Sequence, residues 1–117
     1  MTLRTDRVAD EIRDKLALIF TSGAVSDPRL EAITITAVKV TPDLQLASIY
    51  YRVFDNSEEQ KEQAMKGFKS CQAFLRKKLG ETLDLRRVPE LRFFFDDSIE
   101  RAEKMEKLLG EIDEETS

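Results

Sequence analysis

The spacing of apolar residues along the chain changes between helical and strand periods. From residue 3 to about residue 20, apolar residues recur every three or four positions between charged ones, which predicts an amphipathic helix. These residues are Val8, Ile12, Leu16 and Ile19. Gly23 and the turn-forming Pro28 follow them, so we expect the helix to end before residue 28.

Two segments rich in β-branched residues come next, at 33–40 and 46–54. The turn sequence between them has Pro42 at a position suited to i+1, which predicts an antiparallel hairpin. In the second segment, strict alternation points four residues toward a core: Ala47, Ile49, Tyr51 and Val53. The two halves of the first segment alternate out of phase, which a β-bulge would explain.

A long helix is predicted from the capping-box spacing at Ser57–Gln60 to about Leu83. On a continuous axis, one face is apolar and carries Ala64, Phe68, Cys71, Leu75 and Leu79. The opposite face carries Lys66, Lys69, Ala73, Arg76, Lys77 and Gly80. A kink near residues 70–73 is left open, and it would rotate one half of these faces against the other.

The run 90–95 predicts a third strand, and Asp96–Ser98 begins a last helix with its own apolar side. That side consists of Ile99, Ala102, Met105, Leu108, Leu109 and Ile112. Gly110 and the acidic residues after it are expected to end this helix in solvent. The order predicts an α+β sandwich in which a three-stranded sheet buries these apolar stripes under helices on one face.

The size and composition fit one domain. The chain has 117 residues, of which 41% are hydrophobic and 36% charged, as in a soluble globular protein. We expect a single domain over residues 1–112 and a flexible acidic tail over residues 113–117. The single cysteine cannot form an internal disulfide, and no apolar run approaches the length of a membrane span, so a cytoplasmic protein without membrane contact is expected.

Positive charge is concentrated in the middle of an acidic protein. The net charge is −4, yet residues 60–92 hold nine basic and four acidic side chains. Such a local excess can attract phosphate groups, because a partner feels charges within roughly 8 Å at physiological salt. The candidate RNA-binding residues are Lys66, Lys69, Ala73, Arg76, Lys77, Lys78, Gly80, Arg86, Arg87 and Arg92. An ordinary solvated helix face is the competing interpretation.

The residue types argue against catalysis and against a bound metal or cofactor. The chain has no histidine and one cysteine, Cys71, which falls on the apolar face and is expected to be a small buried hydrophobe. No glycine motif that binds phosphate is present. Tyr50 or Tyr51 could stack on a base, but packing in the core is favoured for them. Phe94 alternates outward and could lie under a helix.

The chain resembles ribosome-binding factor A, a family of bacterial assembly factors for the small ribosomal subunit. The matching segments are Arg7–Ala9, Asp27–Leu30, Val38–Leu44, Ala47–Tyr51, Phe74–Arg76 and Leu85–Phe93. The resemblance implies a KH-like fold of type II topology, with a kinked helix pair in place of the GxxG loop. The glycine that is usual at the family's kink is replaced here by Ala73.

The same resemblance implies a function without catalysis. The protein would bind the immature 30S ribosomal subunit and its 16S rRNA, assist late maturation and 5′-end processing of that rRNA, and be important for growth in the cold. It would be a monomer when free. The alternative hypothesis is a protein-interaction module whose acidic surfaces bind a basic partner protein, with the central lysines and arginines only keeping it soluble.

Overall fold

The computed structural model describes residues 3–55, 57–83 and 87–116. Within them the chain forms an α+β fold with the predicted order of elements. These elements are α1 (Leu3–Thr21), a short 3₁₀ helix (Pro28–Leu30), β1 (Ile33–Val40), β2 (Leu46–Val53), α2 (Glu58–Thr82), β3 (Glu90–Phe95) and α3 (Ser98–Thr116). The prediction of an α+β domain with a KH-like order is confirmed.

The strands of the described residues form a mixed sheet in the order β1-β2-β3. β1 and β2 are antiparallel, whereas β2 and β3 are parallel and are joined by α2. In the connecting turn, the Leu44 amide donates to the Thr41 carbonyl at 2.8 Å, which gives Pro42 the predicted i+1 position. The register of β1 shifts between Ile35 and Ala37. This bulge brings both halves of β1 onto the same apolar face and so resolves its mixed alternation.

The core lies between one face of the sheet and the helices α1 and α2. Ile12 and Leu16 of α1 are fully buried, as is Phe68 of α2. The Phe68 ring stacks on Phe93 of β3 with centroids 4.2 Å apart and 4° between the ring planes. Gly67 is buried next to Leu30, where a β-carbon would lie 2.9 Å from the leucine side chain. The 3₁₀ helix can therefore pack closely against α2, because Gly67 has no side chain at the contact.

The segment in which the resemblance implies a kinked pair of helices is assigned as one continuous helix. α2 begins after the N-cap Ser57, whose hydroxyl accepts the Gln60 amide, and runs for 25 residues through Cys71–Ala73. The single helix predicted by the apolar spacing is confirmed, whereas the angle of the kink implied by the resemblance stays a prediction. Ala73 is compatible with the continuous helix, since alanine has the highest helix propensity whereas glycine costs about 1 kcal/mol there.

The last helix differs from its prediction in two ways. α3 continues past Gly110 to Thr116, so the expected end near Gly110 is wrong, while the flexibility of residues 113–117 stays a prediction. Its apolar side is not buried against the sheet: Ile99, Met105 and Leu109 are 52%, 57% and 54% exposed. Among the described residues, no helix is long and apolar enough to span a bilayer.

Candidate nucleic-acid interface

A row of basic and small residues occupies the outer face of α2. We term this row the basic ridge, and it consists of Lys66, Lys69, Ala73, Arg76, Lys77 and Gly80, all of which are exposed. The helical period sets it opposite a buried stripe of Ala64, Phe68, Leu75 and Leu79, which anchors α2 to the sheet. The ridge follows the helix axis for about 16 Å between its first and last lysine, at 1.5 Å per residue.

Three lysines of the ridge are free to meet an anion. Within the part of the chain that the structure describes, Lys66, Lys69 and Lys77 have no carboxylate within ion-pair distance. None of the described carboxylates therefore neutralises their ammonium groups. Lysines held this way attract phosphate groups without imposing a base sequence.

The two neighbouring cations make contacts inside the protein. One guanidinium nitrogen of Arg76 donates to the Val88 carbonyl at 3.1 Å, so Arg76 helps to hold the segment that leads into β3. Lys78 lies beside the ridge and is half-buried. Its ammonium group is 3.6 Å from a Glu81 carboxylate oxygen and 5.7 Å from the Phe74 ring centroid. Both cations are less available to RNA than the free lysines.

Gly80 has a structural role that its sequence position did not indicate. A β-carbon at this residue would lie 3.1 Å from a methyl group of Val88. The small size of Gly80 is therefore used by the protein's own chain, although its surface is exposed. Close approach of RNA at Gly80 stays a prediction, and Ala73 offers the more open position on the ridge.

The three predicted arginines after α2 do not extend the ridge directly. Arg86 lies outside the described residues, and Arg87 is exposed in the segment before β3. Arg92 is also exposed and belongs to β3, where it alternates with the buried Leu91 and Phe93. It therefore starts from the sheet face opposite α2, with a Glu90 carboxylate oxygen 3.6 Å from its guanidinium group.

A groove between α2 and β3 brings Arg92 and the ridge together. It has a volume of about 520 Å³, with Lys66 and Lys69 on the helix wall and Arg92 on the strand wall. Gln72 crosses it and donates to the Leu91 carbonyl on the open edge of β3 at 2.7 Å. Its other lining residues include Met65, Glu90 and Phe94.

Sequence reasoning missed Met65, Gln72 and Phe94 as groove residues. A polar amide among the inward positions of α2 was the available signal for Gln72, because such a group needs a hydrogen-bond partner. The contributions of Met65 and Phe94 depend on how α2 crosses the strand edge, which the helical period does not specify.

The described residues offer no chemistry for catalysis at this groove. No group of three or more histidine, cysteine or acidic side chains among them could hold a metal ion. Burial raises the pKa of the Cys71 thiol, which keeps it protonated and disfavours nucleophilic attack. The thiol packs beside the core and lies 3.8 Å from the Phe68 carbonyl.

Comparison with known proteins gives one family throughout. The family model of ribosome-binding factor A matches residues 4–109. A ribosome-binding factor A from Desulfatibacillum aliphaticivorans is 43% identical over 109 residues, covering 93% of this chain and 87% of that protein.

Solved structures agree with this match. The crystal structure of ribosome-binding factor A from Thermus thermophilus has a TM-score of 0.70 at 26% identity, covering 80% of this chain and 97% of that one. A homology model of the Thermus thermophilus factor, fitted into a cryo-EM map of a 30S complex, has a TM-score of 0.55 at 25% identity, covering 74% of this chain and 93% of that one. The chain belongs to the ribosome-binding factor A family, which is non-catalytic.

Proposed function

We propose that this protein binds the immature 30S ribosomal subunit by placing the basic ridge against 16S rRNA. The observation that carries the proposal is a set of three lysines on one exposed face of α2, none of which has an ion-pair partner among the described residues: Lys66, Lys69 and Lys77. A relative in the same family has been fitted into a map of its complex with the 30S subunit. In the bound state the free lysines contact phosphates, and the groove beside β3 accepts a neighbouring part of the RNA.

The arrangement favours recognition of folded RNA by shape. Phosphate contacts provide affinity and register, while sequence is read by contacts to base edges. The ridge presents ammonium groups and one small residue, Ala73, so an RNA backbone can approach the helix closely there. An rRNA fold that matches the spacing of the lysines is bound, and a misfolded one is bound less well.

Charge reversal on the ridge tests this contact. The double variant Lys66→Glu/Lys69→Glu is expected to weaken binding to purified immature 30S subunits by at least tenfold at moderate salt. It should also lower the slope of log affinity against log salt by roughly 2, one for each lost phosphate contact. Sedimentation of labelled protein with subunits, at several salt concentrations, measures both quantities.

The last helix supplies a matched control. Lys104→Glu/Lys107→Glu makes the same change in net charge on α3, where both lysines are exposed. This variant should bind subunits like the wild type. Equal loss of binding in both variants, or an affinity that does not respond to salt, would contradict the phosphate contacts of the ridge.

We further propose that the bound protein assists late maturation and 5′-end processing of 16S rRNA in the cytoplasm, and that the need is greatest in the cold. Misfolded RNA rearranges slowly at low temperature, so a protein that stabilises the correct fold has its largest effect there. Bacteria whose own factor is replaced by the ridge double variant should accumulate 5′-extended 16S precursor at low temperature. Normal precursor levels in those cells would contradict this step.

A second candidate function is favoured by α3. The helix has an acidic composition and a half-exposed apolar side, both of which suit a basic partner protein. Removing residues 104–117 separates the two functions. If that truncation abolishes subunit binding while the ridge double variant retains it, the protein-interaction function is favoured over RNA binding.

A further inference from the structure

The sheet has a second face, opposite α1 and α2, that the described helices leave open. Its β2 residues Ser48 and Tyr50 are half-buried, whereas Ala47, Ile49 and Tyr51 on the other face are fully buried. Ser48 and Tyr50 are thus neighbouring side chains on a sheet surface that faces solvent. The exposure of this face requires an explanation, because apolar residues on it are costly to leave in water.

Strand pairing arranges this face in two adjacent rows. In the first row, Lys39 of β1 pairs with Ser48 of β2, which pairs with Arg92 of β3. In the second row, Tyr50 lies between Ala37 and Phe94 in the same way. Neighbouring strands are about 4.8 Å apart, and the rows are two residues or about 6.7 Å apart. A cationic row therefore lies directly beside an aromatic row.

The aromatic row is a preformed and accessible surface. The rings of Tyr50 and Phe94 have centroids 5.7 Å apart, with 31° between their planes. The Lys39 ammonium lies 5.5 Å from the Tyr50 ring centroid. Phe94 is 43% exposed, in contrast to Phe93 on the other face, which is 8% exposed. Packing in the core explains why Phe93 is at its position. It does not explain Phe94, because nearly half of that side chain is in solvent.

The two sides of the aromatic row differ in charge. Lys39 and Arg92 lie on one side of the aromatic row, and the Glu90 contact of Arg92 is exposed and easily exchanged for a phosphate. On the other side, Asp96 repels anions, and the Arg52 guanidinium is already paired with the Glu100 carboxylate at 2.8 Å. Phosphates are therefore attracted more strongly to the edge of the rings that carries Lys39 and Arg92.

We propose that this face stacks bases of single-stranded RNA on Tyr50 and Phe94, while Lys39 and Arg92 bind the adjoining phosphates. Single strands suit the surface because their bases can turn out onto aromatic rings, whereas the bases of a duplex are already stacked. The biological ligand, an unpaired rRNA segment next to the ridge, rests on the proposed function. The stacking itself is tested without the ribosome.

Binding of fluorescein-labelled octauridine to the full chain, measured by anisotropy, tests the stacking. Phe94→Leu keeps an apolar side chain but removes the ring, and it is expected to weaken binding roughly tenfold. Phe54→Leu is the matched control, because Phe54 is 87% exposed and belongs to neither row; it should bind like the wild type. The protein has two tyrosines and no tryptophan, and Tyr51 is buried. Quenching of tyrosine fluorescence by the RNA therefore reports on Tyr50.

Several results would overturn the inference. Phe94→Leu could bind octauridine with the affinity of the wild type. Phe54→Leu could lose as much affinity as Phe94→Leu. An RNA duplex of the same length could compete for the protein as well as octauridine does. If Phe94→Leu does not fold, Lys39→Gln serves instead, with an expected decrease of roughly 1 in the salt slope. A wild type that binds 30S subunits but not octauridine refutes this inference alone. A wild type that binds octauridine through Phe94 but no subunits refutes the proposed function alone.

Discussion

The helices α2 and α3 are both amphipathic, yet only one of them is buried. The apolar stripe of α2 has no exposed surface at Phe68, Leu75 or Leu79, whereas the stripe of α3 is 45% exposed at Leu108 and 57% exposed at Met105. α2 joins two parallel strands, and such a connection must cross back over the sheet. α3 follows the edge strand and does not join two of the described strands, so no crossover holds it against the sheet. Helical periodicity thus predicts both helices, but it does not show which apolar side is covered.

The largest expected difference between the two helices is in core stability. Phe68→Ala removes a ring that stacks on Phe93 at 4.2 Å and also contacts Phe20 and Tyr51. We expect the free energy of unfolding to fall by about 3–5 kcal/mol, from lost burial and the remaining cavity. Urea denaturation followed by circular dichroism measures the change.

The matching substitution in α3 is Met105→Ala, at a residue that is 57% exposed. Its effect on the free energy of unfolding should stay within about 0.5 kcal/mol, because little apolar surface returns to water. A loss of more than about 2 kcal/mol in this variant would mean that α3 packs on the domain in solution, and the contrast between the helices would disappear.

The sequence predicted most of the fold because apolar spacing is a local property. The order of elements, the turn at Pro42, the bulge in β1 and the buried stripe of α2 all follow from it, and the structure contains each of them. Local spacing did not reveal that α3 leaves the sheet, since that depends on how distant segments meet. The angle of α2 near Ala73, where the chain departs from the family's usual glycine, stays a prediction.

The candidate site was predictable in part for the same reason. The helical period alone grouped Lys66, Lys69 and Lys77 on one exposed face. It could not show that Arg76 bonds the Val88 carbonyl, that Gly80 accommodates Val88, or that Arg92 faces away from α2. Those facts depend on the path of the chain between α2 and β3.

The glycines of the two helices extend the comparison, with smaller expected changes in unfolding free energy than Phe68→Ala. A β-carbon at Gly67 of α2 would lie 2.9 Å from two side-chain atoms of Leu30, whereas one at Gly110 of α3 would meet nothing within 4 Å. We expect Gly67→Ala to cost about 1–2 kcal/mol of unfolding free energy, because overpacking outweighs the gain in helix propensity. Urea denaturation tests this.

Gly110→Ala should have the opposite sign, with a gain of about 0.5–1 kcal/mol in local helix stability and a stronger helical signal in circular dichroism. If both glycine variants stabilise the protein, the 3₁₀ helix at Pro28–Leu30 does not press on α2 in solution. If both destabilise it, Gly110 has a contact that an isolated α3 cannot provide.

The last comparison concerns the junction that joins α3 to the sheet. Asp96 accepts hydrogen bonds from the Thr36 hydroxyl at 2.6 Å and from the Ser98 amide at 3.0 Å, and Arg52 of β2 bonds Glu100 at 2.8 Å. Asp96 thus accepts a hydrogen bond from the first amide of the helix. The Thr36 and Ser98 hydrogen bonds lower the pKa of the Asp96 carboxyl from 3.8 to about 2.

This pKa shift fixes the sign of a pH dependence. Because the folded-state pKa is depressed, the stabilisation from Asp96 is fully present above about pH 4 and is lost as the pH falls toward 2. Asp96→Asn should therefore lower the unfolding free energy by roughly 1 kcal/mol at pH 7, a value reduced by partial exposure to water. The difference between variant and wild type should shrink as the pH approaches 2. A constant difference for Asp96→Asn across this pH range would mean that the charge of the Asp96 carboxylate does not stabilise the junction.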